Sequence, residues 1–74
     1  MTLTDKIKDL TERLADWRAS RDRWAAALKT HTNYENWNGV STAEKEIARC
    51  DEKIAALRSE LDQARRQDAI EATL

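Results

Sequence analysis

Cys50 and His31 are the one thiol and the one imidazole of this chain, so any nucleophilic or metal chemistry must start from them. A thiol–imidazole pair works only when the two groups are in hydrogen-bond contact and a third residue orients the ring. A structural zinc site wants four ligands, usually several Cys and His together. One of each falls short within a single chain. Cys50 falls on an apolar stripe and reads as a small buried hydrophobe, while His31 reads as a polar residue near a helix end. The acidic groups Asp51-Glu52, Glu44/Glu46 and Glu60/Asp62 would do acid–base work only in a pocket that raises one carboxyl pKa. Two helices enclose no such pocket, so these groups read as solvated faces. The densest basic group is Arg18, Arg21 and Arg23, beside Trp17 and Trp24. Basic surface with interleaved aromatics can stack single-stranded nucleic acid. Both tryptophans, however, fall at stripe positions that turn inward. The expectation is a chain that is not an enzyme, with no catalytic residue, cofactor or metal.

Two heptad stripes must position all of these residues. The first runs Leu3, Ile7, Leu10, Leu14, Trp17, Arg21, Trp24, Leu28; the second runs Ala43, Ile47, Cys50, Ile54, Leu57, Leu61, Ala64, Asp68. Alternating steps of three and four keep one helix face turned toward a partner. The fold class expected is therefore mainly α: an antiparallel, coiled-coil-like two-helix hairpin in a single domain spanning 1–74. The first helix is expected over about 4–31, a connection over about 32–41, a second helix over about 42–68 and a short tail over 69–74. Thr2 and Thr4 are suitable N-caps with Asp5 in the first turn, and Ser41-Thr42-Ala43-Glu44 has the capping-box pattern. Between the helices, Asn38-Gly39 is the preferred pair for a tight hairpin turn, and Thr32, Tyr34, Trp37 and Val40 favour β structure. The connection is open to two readings, a small β-hairpin or an irregular loop with Trp37 over the end of the helix pair.

Three anomalies interrupt the seam. Arg21 stands where an aliphatic residue is expected, facing the level of Cys50 to Ile54, where Asp51 or Glu46 is in reach; such a residue sets register. Asp68, the second seam-specifying residue, stands near the level of Leu3 and Ile7 and marks where the seam opens. Trp17 and Trp24 are too large for one facing helix to cover. Together with Tyr34 and Trp37 of the connection they form the expected protein-interaction set, since large aromatics anchor interfaces.

Composition narrows the partners. Charged residues make up 36% of the chain, yet the formal net charge is −1. That balance argues against general nucleic-acid binding, which wants a basic excess, and against a polybasic membrane anchor. The start of the chain has no apolar run like a signal peptide, and no stretch approaches the roughly 20 apolar residues of a membrane span. With one cysteine no internal disulfide can form. The expectation is a soluble, cytoplasmic chain with protein partners or self-association.

The order long helix, Asn-Gly connection, capped second helix resembles the small W-type head-completion proteins of tailed phages, and a wider set of short phage virion proteins. The residues that carry the resemblance are Tyr34, Asn38-Gly39, Ser41-Thr42, Glu46-Ile47-Ala48-Arg49-Cys50 and Ile54-Ala55-Ala56-Leu57, within a layout covering about 5–62. It implies an antiparallel helix pair with a small β-hairpin between, acting as a ring-forming head–tail connector without catalytic activity. The alternative reading of the same stripes is a homodimeric helical bundle, an adaptor or regulator such as a small phage inhibitor of a host protein. In it, Ala15, Ala25, Ala55 and Ala64 would permit close helix approach.

Overall fold

The computed structural model describes residues 2–73. They form two helices, α1 (Leu3–Asn33) and α2 (Trp37–Thr73), packed antiparallel into a rod of 59 × 16 × 14 Å. The mainly α two-helix hairpin is thus the observed architecture. No described helix is long and apolar enough to cross a membrane.

α1 begins as its sequence dictates. Thr2 is extended, and its side-chain oxygen accepts from the Asp5 backbone N–H at 3.1 Å, with the Asp5 carboxylate in the first turn. With no proline in the chain, nothing stops α1 before Asn33. The end is a Schellman closure. The Asn36 N–H donates to the His31 carbonyl (2.9 Å) and the Glu35 N–H to the Thr32 carbonyl (3.1 Å). Glu35 sits between them at φ 55°, in the left-handed region where glycine is usual.

The connection is therefore only Tyr34, Glu35 and Asn36, and α2 starts at Trp37 rather than at about Thr42. Asn36 is the cap. Its side-chain oxygen accepts from the Gly39 N–H at 3.2 Å, and its carbonyl accepts from the Val40 N–H at 2.9 Å. Asn38-Gly39 lies in the first turn of α2, and no strand occurs among the described residues. The capping box at Ser41 is not used, because Ser41 is already inside a helix. The neighbouring Thr42 hydroxyl instead bonds back to the Asn38 carbonyl. At the other end α2 continues through the expected tail to Thr73; Leu74 lies outside the described residues.

The seam buries large side chains toward the open end and small α2 side chains toward the tip. Leu10, Leu14, Leu57, Leu61 and Ala64 form the buried cluster, with Leu3, Ile7, Trp17 and Ile54 packed against it. Toward the tip the buried α2 positions are small: Cys50, then Ala43. Gly39 follows, and a Cβ placed there would lie 2.5 Å from two atoms of the His31 ring. Leu28 and His31 of α1 thus stand near the levels of Ala43 and Gly39, while Trp24 stands near that of the half-buried Ile47.

Candidate protein-interaction surface

Four structural features surround the positions singled out in the sequence. The first is the crosslink at Arg21. Its Nε donates to an Asp51 carboxylate oxygen across the two helices, with both side chains about half exposed. The hydrogen bond and charge of Asp51 raise the guanidinium pKa above its ordinary value. One residue back on each helix, the buried Cys50 thiol faces the Ser20 hydroxyl at 3.9 Å. Asp51, rather than Glu46, is the partner that Arg21 takes; Glu46 pairs with Arg49 at 3.8 Å.

The second feature is the tip. The side chain of Asn36 spans it, accepting from Gly39 while its amide group lies 3.3 Å from His31 Nδ1. His31 and Cys50 are therefore not brought together. The imidazole lies against Gly39, which is eleven residues, or about 16 Å of helix, from Cys50. No cluster of three or more potential metal ligands occurs among the described residues.

The third feature is aromatic exposure. Tyr34 is 81% exposed and Trp37 64% exposed, both at this hydrogen-bonded tip. Trp17 and Trp24 are half-buried along the seam, and the Arg49 guanidinium lies 5.7 Å from the Trp17 ring centroid. The four aromatics thus divide into a seam pair, already largely occupied, and a tip pair with free faces. Asp68 does not join the seam. It is exposed beyond Ala64, the last buried residue of α2, and makes no ion pair among the described residues.

The fourth was not anticipated from sequence. Arg18, Arg58 and Arg65 line one flank of the leucine seam, around a groove of about 340 Å³ with Thr11, Ala15 and Asp62. The heptad spacing of Arg58 and Arg65 was available as a signal, but charge runs on a helix face usually report only solvation.

Geometry defines the chain as a two-helix hairpin with a charged shaft and a hydrogen-bonded tip that exposes two aromatics. No family model, curated protein or solved structure matches it.

Proposed function

We propose that this chain is a non-enzymatic structural module of phage or prophage type, a connector of the head–tail joining kind that docks through its tip and assembles with further copies of itself. The exposure of Tyr34 and Trp37 on a tip held by the Asn36 cap and the His31–Gly39 contact carries this reading. Large aromatics on a pre-ordered support bind at little entropic cost, and burying each contributes on the order of 2 kcal/mol. The place of action is the host cytoplasm or the virion. The β-hairpin that the phage resemblance implies is replaced here by the first turn of α2, so the reading rests on the helix pair and the tip. The test is co-sedimentation of the purified chain with the connector or portal protein encoded beside it. Binding lost on Y34A/W37A supports the proposal. A gene with no portal or tail neighbours, and no such binding, sinks it.

The second reading is a homodimeric bundle acting as an adaptor or regulator. Exposed Ala15 and Ala55 beside the seam favour it, although Ala64 is already buried within the hairpin and Ala25 half-buried. Ala15→Glu with Ala55→Glu would abolish such a dimer and leave tip docking intact.

A further inference from the structure

We propose that the arginine-lined groove on the shaft receives a second copy of this chain, which enters with the acidic back of its α1. The inference rests on the reading of the hairpin as a self-assembling unit, and it names the surfaces involved.

The groove is built from both helices. Arg18 comes from α1, and Arg58 and Arg65 come from α2. None of the three belongs to an ion pair among the described residues, where the pairs are Arg13–Asp9, Arg21–Asp51 and Arg49–Glu46. Asp62 is the one carboxylate on the lining, so cations outnumber anions there three to one. The buried Leu14 and Leu61 give the groove an apolar floor, and the exposed Ala15 and Thr11 complete its walls. Such a groove is positive along its walls and apolar at its floor.

The same chain carries the matching surface elsewhere. Asp5, Asp9, Glu12 and Asp16 recur at steps of four, three and four, which aligns them in one row along α1. Only Asp9 is paired, to Arg13 at 3.2 Å, and Asp5, Glu12 and Asp16 are exposed without an ion pair among the described residues. Asp5 and Glu12 are seven residues apart, as are Arg58 and Arg65. Each pair therefore spans about 10.5 Å of helix, and row and groove match in pitch. A nucleic-acid backbone fits less well, because Asp62 interrupts the groove and the whole chain is close to neutral.

The two surfaces point in different directions. Thr11, Ala15 and Arg18 flank one side of the α1 seam. The acidic row lies roughly 145° around α1 from the seam, beyond Arg13 on the other side. Arg13 and Trp17 line a separate groove with Lys53 and Glu60, which marks that opposite flank. Row and groove on one pair of molecules cannot engage reciprocally about a twofold axis. The contact is head-to-tail, the kind that generates rings or open chains rather than closed dimers.

Sedimentation velocity over a concentration series tests this. At low salt the mass should rise past that of a dimer, and at high salt it should return to that of a monomer. R58E/R65E should weaken association at least about tenfold, and so should E12K/D16K, which spares Asp5 at the helix start. Circular dichroism reports whether both remain helical. Mixing the two variants should restore association, because each then meets the opposite charge. Y34A/W37A should associate as the unaltered chain does. Four results would overturn the proposal: a monomer at low salt throughout, a plateau at the dimer, no rescue on mixing two folded variants, or loss of association in Y34A/W37A. The first three leave docking through the tip standing. Retention of a single-stranded oligonucleotide by the groove of a chain that stays monomeric would also overturn it.

Discussion

The His31 ring occupies the space that a side chain at position 39 would need: a Cβ there would lie 2.5 Å from both Cγ and Nδ1 of the imidazole. This explains why a glycine stands in the first turn of α2, where it costs about 1 kcal/mol of helix propensity relative to alanine. Gly39 has no positive φ. Close approach of the two helices is its role, and the left-handed position of the turn is taken by Glu35.

Gly39→Ala should therefore destabilise the hairpin by about 1–3 kcal/mol through overpacking, despite the better helix propensity of alanine. His31→Ala opens the space. In that background Gly39→Ala should become neutral or stabilising. A double-mutant cycle by urea denaturation measures the reversal, and equal effects of Gly39→Ala in both backgrounds would disprove the contact.

Glu35→Gly should stabilise the protein by about 1 kcal/mol, because Glu35 holds a left-handed conformation that its Cβ disfavours. For a domain of this size the melting temperature should rise by roughly 4–8 °C. An unchanged or lower melting temperature would show that the Schellman closure is not strained at this residue.

The leucine cluster should be the most sensitive part of the shaft. Leu61→Ala removes a buried side chain facing Leu10 and Leu14 in that cluster, and should cost about 2–5 kcal/mol. A two-helix chain has little stability to lose, so the expected outcome is a largely unfolded protein by circular dichroism. Ile70→Ala, at a site 62% exposed, should leave the unfolding midpoint within about 0.5 kcal/mol of its starting value.

Arg21–Asp51 should show coupling that salt weakens, since both partners reach solvent. Asp51 raises the Arg21 pKa. A raised folded-state pKa gives a contribution that is complete below the ordinary guanidinium range and lost only as pH rises above it. From the arginine side the pair should therefore hold unchanged through neutral pH. Arg21→Asp and Asp51→Arg should each lower the melting temperature, and the swapped double variant should recover most of the loss. Failure of the swap to recover any would show that the pair does not set register.

Much of this architecture was legible along the chain. Heptad spacing places Leu10, Leu14, Leu57 and Leu61 in the buried seam, since a 3.6-residue period allows those positions one common face. Matching levels across an antiparallel pair also put Asp51 within reach of Arg21. Both follow from helix geometry, which is local and repeats.

Tertiary structure decided the tip. Asn38-Gly39 is a valid hairpin signal and Ser41-Thr42-Ala43-Glu44 a valid cap, yet neither is used. Asn36 caps α2 five residues earlier than Ser41 would, and the three-residue Schellman connection brings His31 onto the backbone at Gly39. Cap and turn signals are short, and several can be satisfied by the same ten residues. The choice among them falls to packing between the helices, here the His31 ring of α1 against Gly39 of α2. The same holds for the surfaces: the sequence determined which residues carry charge and aromatic rings, and only the folding back of α2 on α1 placed Arg18 beside Arg58 and left Tyr34 and Trp37 uncovered.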